Sequence, residues 1–406
     1  MSDETSGPAA GVSQTEDAPL TAFPIDLFSE ASLRVPFDDY RRLRDAGPAV
    51  RLRRPDVHAI GRFADVQAAL RASDILVSGE GVGFSDAFNA PKGMNVIQSD
   101  GDLHRRLRTA VTKPLSPARL RDVRPDLKAM IASRVETLVG RGWFDGMAEL
   151  ARFLPVEAVS HFVGLPGVGR ERMLEWAAAA FNVIGPDHDP ADILSLREAF
   201  GFLATLSDDT VREGSWAKEL FASVESGRLS QPEAMAAISA YVIPSLDTTI
   251  LAKGHLLANL ARDPEQLQLL RQRPELIPAA VLEGVRRDAV IRWFSRVAIS
   301  DYDADGVVVP KGARVMLLYG CANRDERHYE DPDRFDITRD ARDHLAWGTG
   351  PHMCAGMHLA RIEMEVMLEA LVESGAAIEA GEPVLGANRG LYGFKALPLR
   401  LERTSR

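Results

Sequence analysis

The chain has 406 residues, of which 46% are hydrophobic and 26% are charged, so it is long enough to bury a large globular core. Its formal net charge of −10 argues against nucleic acid as a partner, because affinity for nucleic acid comes largely from neutralising phosphates. No apolar stretch approaches the roughly 20 residues that span a bilayer. Two cysteines are too few for a disulfide framework or a four-cysteine zinc site.

The N-terminus differs in composition from the rest of the chain. It begins MSDETSGPAAGVSQTEDAP, which is polar and acidic and lacks the basic start and apolar centre of a signal peptide. We therefore expect a disordered tail over residues 1–22, a single domain over residues 23–406, a cytoplasmic location and no membrane partner. No internal repeat, low-complexity tract or linker divides the domain.

Most of the chain after the tail has helical patterns. PFDDYRRLRDAG, residues 36–47, is amphipathic and stops at a glycine, which is a usual helix end. More helices are predicted from Leu103 to about residue 290. The other predicted elements are two short strands in 49–63, a helix directly after them, a long glycine-rich loop in 78–95, a break at 184–192 and a small strand region in 296–319. The predicted fold class is mainly α, with a minor sheet (α+β).

One of the two cysteines lies in a glycine-rich loop ahead of a predicted helix, in HLAWGTGPHMCAGMHLAR, residues 344–361. At the first turn of a helix the sulfur of Cys354 meets unpaired N–H groups and the positive end of the helix dipole, which favour the thiolate. A thiolate binds soft or borderline metals. The glycines Gly348, Gly350 and Gly356 leave room for a wide, flat ligand close to the backbone.

Two other interpretations of this loop remain open at this point, and a third is excluded. A lone cysteine at a tight turn is most often a structural core residue. A thiol enzyme could use Cys354 with His352 or His358 as its base. A nucleotide-binding loop is excluded, because Gly350 and Gly356 are wrongly spaced for G-x-G-x-x-G.

The segment 232–262 is too long and too apolar to be a surface helix. Pro244 lies inside it and has no N–H group to bond the Ala240 carbonyl, which predicts a local bend. Asp247 and Thr248 follow shortly after. Residues of these types also mark helix kinks that have no chemical role.

The pattern G-x-G-x-H-x-C-x-G-x-x-L-A-R over residues 348–361 resembles the signature of the haem-thiolate monooxygenases, the cytochromes P-450. The resemblance extends from about residue 25 to the C-terminus and is to the soluble bacterial class. It implies a single triangular domain, a helix bundle with a small β-rich region. Heme b would lie between a long oxygen-binding helix and the cysteine loop, with Cys354 as the iron ligand whose thiolate favours O–O cleavage.

The resemblance also implies roles for residues outside the loop. Asp247 and Thr248 would be the acid–alcohol pair that relays protons to dioxygen. Glu283 and Arg286, three apart on a predicted helix, would form a buried structural pair joined by Arg334. The remaining cofactor contacts would be the propionate-binding side chains His104, Arg108, Arg296 and His352 and the glycines Gly348 and Gly356.

Two finer likenesses concern the substrate. GEGVGFSD, residues 79–86, and AFNVIGP, residues 180–186, resemble pocket loops of the para-substituted benzoate monooxygenases. DGDLHRRLR and IPAAVLEGVRR resemble stretches of guaiacol-type aryl-ether O-demethylases. Both likenesses imply a small, flat aromatic substrate. The expected pocket residues are Val82, Phe84, Phe181, Ile184, Ala240, Ile243, Ile291, Arg292 and Phe294.

The sequence leaves the charge of the substrate open. The benzoate enzymes hold the carboxylate partly with two arginines, at positions occupied here by Glu80 and Ser239. A buried carboxylate without a cationic partner costs several kcal/mol. Arg292 could replace those arginines if it points inward. A neutral phenol or methoxyphenol is the other expectation.

These expectations describe a monomeric enzyme that inserts one atom of O2 into a lignin-derived phenol, methoxyarene or benzoate-like compound by hydroxylation or O-demethylation. Ferredoxin and ferredoxin reductase would supply electrons from the side of Cys354, and the arginines of residues 105–121 suit an acidic partner. Three alternatives remain: a monooxygenase of a terpenoid or other small hydrophobic metabolite, a peroxygenase, and a haem-binding protein without turnover. Asp247 and Thr248 argue against the peroxygenase.

Overall fold

The computed structural model describes residues 22–90, 95–166 and 172–403. The predicted tail, residues 1–22, lies outside this part of the chain except for Ala22. Ala22 pairs with Arg51 in a short parallel ladder, so Ala22 belongs to the first described strand. Residues 91–94 of the predicted glycine-rich loop also lie outside the described residues.

Helices make up most of the regular structure in the described residues. In chain order they are α1 (Glu30–Arg34), α2 (Phe37–Ala46), α3 (Phe63–Arg71), α4 (Asp86–Asn89), α5 (Gly101–Thr112), α6 (Pro117–Leu138), α7 (Phe153–Ala158), α8 (Met173–Val183), α9 (Pro190–Ala204), α10 (Trp216–Glu225), α11 (Gln231–Val242), α12 (Leu246–Arg262), α13 (Pro264–Gln272), α14 (Ile277–Arg287), α15 (Tyr319–Ala322) and α16 (Met357–Ser374). Two π-helical turns, Met147–Ala151 and Val159–Val163, flank α7, and a 3-10 turn, Pro274–Leu276, precedes α14.

The strands are short. They are β1 (Ala22–Phe23), β2 (Val50–Arg53), β3 (Asp56–Ile60), β4 (Leu76–Val77), β5 (Phe144–Asp145), β6 (Phe294–Ala298), β7 (Tyr302–Ala304), β8 (Val307–Val309), β9 (Arg314–Leu317), β10 (Ala376–Ala380), β11 (Val384–Leu385), β12 (Phe394–Ala396) and β13 (Pro398–Arg403). Six of them form a mixed sheet in the order β1-β2-β3-β9-β6-β4. A second sheet has the order β10-β13-β5, and β7-β8 and β11-β12 are two-stranded pairs. The predicted mainly helical fold with a minor sheet is confirmed.

Local sequence signals explain where two of these helices begin or end. At the start of α11 the Ser230 hydroxyl accepts from the Glu233 amide and the Glu233 carboxylate accepts from the Ser230 amide, which is a complete capping box. α2 buries Tyr40 and Leu43 on one face and ends before Gly47, whose φ of +155° favours glycine.

The bend predicted at Pro244 is present as a break between two helices. α11 ends at Val242 and α12 begins at Leu246, with the intervening residues in turns. Pro244 cannot donate a backbone hydrogen bond, so the ladder is interrupted at this point. The Ser245 hydroxyl donates to the carbonyl oxygen of Tyr241, so a side chain satisfies a carbonyl beside the break.

The segment that contains both helices, Gln231–Arg262, is long and apolar enough to cross a membrane by length and composition. The expectation that the chain has no such stretch is therefore wrong by this measure. Within the protein, 56% of the most apolar window of the segment is buried, and the core helix of a globular protein meets the same criterion. We interpret α11 and α12 as central core helices.

An ion pair in the core connects α12 to α16. Lys253 of α12 is fully buried, and its Nζ lies 3.1 Å from Oε2 of Glu363 on α16. Burial lowers the pKa of Lys253 and raises the pKa of Glu363, and the charge of each partner opposes the shift in the other. Removing one partner of such a pair costs about 3–5 kcal/mol, because the remaining charge is left buried without compensation. The two helices on either side of the candidate site are thus held together by charge as well as by apolar packing.

Candidate functional site

The cysteine loop leads directly into α16. The amide of Cys354 donates to the carbonyl oxygen of Trp347 at 2.8 Å, which closes the loop on itself. Gly348 and Gly350 have φ values of +67° and +75°, a backbone conformation that other residues rarely adopt. A Cβ on Gly350 would also lie 2.8 Å from the carbonyl oxygen of Leu70 at the end of α3. These two glycines are therefore required by the fold of the loop itself.

The Cys354 sulfur lies at the start of α16, as the sequence predicts. Burial raises the pKa of the Cys354 thiol, and hydrogen bonds from the amides of Gly356 and Met357, together with the charge of Arg108, act in the opposite direction. The expectation that the amides at the helix start favour the thiolate is confirmed, and burial of the sulfur is a separate and larger effect in the opposite direction. A thiolate in this position needs a further cation close to the sulfur.

Four side chains predicted to contact the cofactor are brought to the same loop. The rings of His104 on α5 and His352 in the cysteine loop lie 4.2 Å apart. Burial lowers the pKa of His104 to about 4 and also lowers the pKa of His352. The two histidines are therefore neutral hydrogen-bonding groups near pH 7, and the positive charge comes from Arg108 and Arg296.

The residues present fit heme b. The buried Nε2 of His104 has no hydrogen-bond partner among the described residues. Neither Arg108 nor Arg296 lies within ion-pair distance of a carboxylate in the described part of the chain, although Arg296 is buried. A Cβ on Gly356 would meet no atom within 4 Å, so the space beside the helix start is open. The propionates and the iron of a bound heme b would supply the anions and the cation that this set of residues lacks.

Asp100 is a site residue that sequence reasoning missed. Its carboxylate accepts from the amides of Gly79 at 2.6 Å and Ser78 at 3.2 Å, and it lies 3.6 Å from Nε2 of His352. An Asp directly before a helix normally indicates a cap, but the Asp100 side chain makes no capping bond to α5. It instead connects the start of the 79–86 loop to the cysteine loop.

The predicted acid–alcohol pair lies in the first turn of α12, next to the break at Pro244. Burial raises the pKa of Asp247 to about 7. The Thr248 hydroxyl donates to the carbonyl oxygen of Pro244 at 2.7 Å, which leaves its lone pairs free to accept. Asp247 can therefore exchange a proton near neutral pH, beside a hydroxyl whose own proton is held by the backbone.

The predicted structural pair is present and fully buried. Arg286 donates to Glu283 at 2.6 and 2.9 Å, and it also donates to the carbonyl oxygen of Asn323 at 2.7 Å. The Asn323 side chain accepts from the amide of Leu345, at the start of the cysteine loop, at 2.7 Å. The pair is thus connected to the loop by two hydrogen bonds, in keeping with a structural role.

The assignment of Arg334 as the third member of this cluster is wrong. The Arg334 side chain is exposed, and only its carbonyl oxygen faces Arg286, at 3.4 Å. Arg339 takes its place, with Nε 3.3 Å from Oε1 of Glu283. Arg339 also donates to the carbonyl oxygens of Glu330 and Asp331, which orient its guanidinium inward. Both arginines follow α14 in the same loop, and sequence spacing does not show which one turns inward.

The predicted pocket loops meet in space. The amide of Phe84 donates to the carbonyl oxygen of Ile184 at 2.8 Å, and Val82 accepts from the amide of Ser295 on β6 at the same distance. One face of Phe84 stacks on Trp293, with ring centroids 4.4 Å apart, so that face belongs to the core. The other apolar candidates, all buried or partly buried, are Phe181, Ala240, Ile243, Ile291 and Phe294.

Arg292 does not act as a pocket cation. Its side chain is buried, and Nε donates to the carbonyl oxygen of Leu391 at 2.8 Å. A terminal nitrogen of the same guanidinium donates to the carbonyl oxygen of Leu33, and the group lies over the ring of Tyr392. Its assignment to the substrate pocket is corrected, because these contacts turn the charge toward α1 and the C-terminal segment.

Comparison with known proteins supports one family over most of the chain. Residues 215–374 match the family model described as Cytochrome P450. Cytochrome p450 CYP199A2 of Rhodopseudomonas palustris is 32% identical over 392 residues, which are 94% of this chain and 93% of that protein. Beta-dihydromenaquinone-9 omega-hydroxylase of Mycobacterium tuberculosis is 31% identical over 90% of this chain and 75% of its own length. The crystal structure of epothilone D-bound cytochrome P450epoK superposes with a TM-score of 0.84 at 26% identity, covering 94% of this chain and 100% of that chain.

Arg339 and Arg334 form a matched pair that tests the corrected cluster. Arg339→Ala removes a charge-assisted hydrogen bond to a fully buried carboxylate, so we expect it to lower the free energy of unfolding by about 1.5–3 kcal/mol. Arg334→Ala removes an exposed side chain and should change it by less than about 0.5 kcal/mol. Urea unfolding of both variants measures the difference. An equal loss in the two variants would contradict the assignment.

Proposed function

The chain belongs to the cytochrome P450 family, and from that premise we propose that it oxidises small, uncharged aromatic compounds by hydroxylation or O-demethylation. A cytochrome P450 is a haem monooxygenase that binds heme b through a cysteine thiolate. In O-demethylation, hydroxylation of the methyl group gives a hemiacetal that collapses to formaldehyde and a phenol. The observation that supports an uncharged substrate is that the Arg292 guanidinium donates to backbone carbonyl oxygens and so is not available to pair with a carboxylate in the pocket.

We assign Cys354 as the iron ligand. Cys321, the other cysteine in the sequence, is fully buried, and its thiol donates to the carbonyl oxygen of Tyr40 at 3.4 Å. Burial raises the pKa of Cys321 to about 12, so it stays a thiol. Bound heme supplies the activation of O2. The residues around it hold the propionates: His104 and His352 as neutral hydrogen-bonding groups and Arg108 and Arg296 as cations.

Asp247 and Thr248 move protons in this proposal. Asp247 is partly protonated near pH 7 because burial raises its pKa to about 7, so it can take a proton from solvent and pass it on. The Thr248 hydroxyl donates its hydrogen bond to the carbonyl oxygen of Pro244, so its lone pairs can accept from a neighbouring donor and orient it. The break before α12 places both side chains in the first turn of that helix.

An uncharged substrate is supported by the side chains at the positions where a carboxylate would need cations. Ser239 occupies one such position, and its hydroxyl donates to the carbonyl oxygen of Ala236 at 2.8 Å. Glu80, at the other position, is itself acidic. The Arg292 guanidinium is directed to backbone carbonyls. A relative of nearly equal identity is named for another substrate, beta-dihydromenaquinone-9, so this part of the proposal depends on the pocket alone.

We propose a ferredoxin and its reductase as the electron source in the cytoplasm, with docking on the side of the cysteine loop. Arg71 is exposed there, and a Cβ on Gly350 would lie 3.6 Å from its Cα. The arginines of residues 105–121 contribute less than their number suggests, because several are already paired. These ion pairs are Arg105 with Asp102, Arg106 with Glu233 and Arg119 with Glu219.

The preference for an uncharged substrate is tested with 4-methoxybenzamide and 4-methoxybenzoate, which have nearly the same shape and differ in charge. We expect guaiacol and 4-methoxybenzamide to displace the iron-bound water and shift the spin state of the purified enzyme. The carboxylate 4-methoxybenzoate should bind at least about a hundredfold more weakly than the amide, since an unpaired buried charge costs several kcal/mol. Absorption titrations give the dissociation constants. Tighter binding of the carboxylate would contradict the proposal.

Asp247→Asn tests the proton relay through its pH dependence. The raised pKa means that Asp247 is protonated below about pH 7 and loses its proton above it, so guaiacol turnover that needs the acid should fall as pH rises through 7. Asp247→Asn should lower the turnover rate by about 10²-fold or more and remove this pH step. Thr249→Val, at the neighbouring buried threonine, is the control and should keep the step. A step that persists in Asp247→Asn would contradict the relay.

A further inference from the structure

A small cavity lies behind the 290–294 wall of the pocket, between α2 and the C-terminal segment. The centre of a sphere the size of a water molecule can move through about 10 Å³ inside it, so one small molecule or ion fits. No carboxylate lines it. The side chains that surround it include Pro36, Phe37, Tyr40, Arg287, Arg292 and Tyr392.

Arg292 brings a buried charge to this cavity without a counter-ion. Its side chain is 3% exposed, and in the described part of the chain no carboxylate lies within ion-pair distance of it. Its hydrogen bonds go to the carbonyl oxygens of Leu391 and Leu33 and to the hydroxyl of Tyr40, all of which are neutral. Carbonyl groups solvate a guanidinium but do not neutralise it, and an uncompensated buried charge is strongly unfavourable.

The neighbouring ion pairs do not supply the missing negative charge. Arg287 donates to Asp288 at 2.8 Å, and Arg324 donates to the other oxygen of the same carboxylate at 2.9 Å. One buried carboxylate thus serves two guanidinium groups. Asp333, which pairs with Arg324, is half exposed and also pairs with Arg41. The guanidinium groups of Arg287 and Arg324 therefore already use the carboxylates of Asp288 and Asp333, and neither carboxylate is paired with Arg292 in the described part of the chain.

Two phenols complete the lining of the cavity with neutral donors. Burial raises the pKa of Tyr40 and raises the pKa of Tyr392 to about 12, so both hydroxyls keep their protons. Two guanidinium groups and two protonated phenols around a space that no carboxylate lines suit an anion better than a cation.

We propose that this cavity binds one monovalent inorganic anion of about the size of chloride. The anion would neutralise Arg292 and accept from the surrounding N–H and O–H groups. It would also stabilise one wall of the pocket from behind, because Arg292 donates its amide to Gly390 and Tyr392 donates its amide to Val290. This site does not depend on the substrate or on the iron ligand.

The test compares the thermal unfolding of the holoenzyme in sodium chloride and in sodium gluconate at the same ionic strength. Gluconate is too large for the cavity. At a chloride concentration about 100-fold above the dissociation constant, the midpoint temperature should be about 2–3 °C higher in chloride. Crystals soaked in sodium bromide should show an anomalous scattering peak between Arg292 and Tyr392.

Variants separate a specific site from a general salt effect. Arg292→Met should abolish the difference between chloride and gluconate. Tyr392→Phe should reduce the difference, and this second variant keeps the test valid if Arg292→Met folds poorly. Leu127→Ala, in the core of α6, is the control: it should lower the midpoint temperature in both salts and leave the difference unchanged. The proposal is overturned if the difference is absent in the wild type, if it has its full wild-type size in Arg292→Met and Tyr392→Phe, or if the cavity holds only a water molecule.

Discussion

The sulfur of Cys354 lies at the first turn of α16, where the amides of Gly356 and Met357 face it and where burial opposes its ionisation. Only a cation close to the sulfur makes a thiolate favourable in this position. Arg108 contributes part of that positive charge, and in our proposal the iron of heme b would supply the rest. Two propionates would satisfy the buried His104 nitrogen and would pair with Arg108 and Arg296, neither of which has an ion-pair partner in the described part of the chain. One constraint, the stabilisation of a buried thiolate, thus accounts for the arrangement of the cofactor site.

The surrounding structure fixes the cysteine loop and the first turn of α12 relative to each other. On one side, Glu283, Arg286 and Arg339 form a buried charged cluster that is connected through Asn323 to the start of the cysteine loop. On the other side, the break at Pro244 gives α12 a new first turn for the acid–alcohol pair. The ion pair between Lys253 of α12 and Glu363 of α16 links the two sides through the core. A substitution on one side of the cofactor site should therefore also affect the stability of the other side.

Local signals in the sequence predict much of this structure correctly. The end of α2, the β2–β3 pair, the break at Pro244 and the glycine-rich loop ahead of α16 each depend on a few neighbouring residues. The family pattern then indicates which side chains converge on Cys354. Such features can be predicted because glycine, proline and capping residues act within one or two turns of the chain.

Features that depend on side-chain direction were not predictable in the same way. Arg334 and Arg339 are five residues apart in one loop, and only the fold decides that Arg339 turns toward Glu283. Arg292 has the sequence context of a pocket residue, yet its guanidinium is directed to carbonyl oxygens of distant segments. The role of Asp100 is hidden for a similar reason, because a contact with a loop 20 residues away outweighs the local capping role that its position suggests. The net pKa shift of Cys354 depends on burial, which the motif alone does not give.

The most direct test of the central claim is the absorption spectrum of the reduced protein under carbon monoxide. Thiolate ligation predicts a strongly red-shifted Soret band in the wild type, because the sulfur donates electron density to the iron. Cys354→Ser should abolish that shift, whereas Cys321→Ser, which changes the other cysteine of the chain, should keep it. A red-shifted band that survives Cys354→Ser, or a wild-type protein that does not take up heme b at all, would contradict the account.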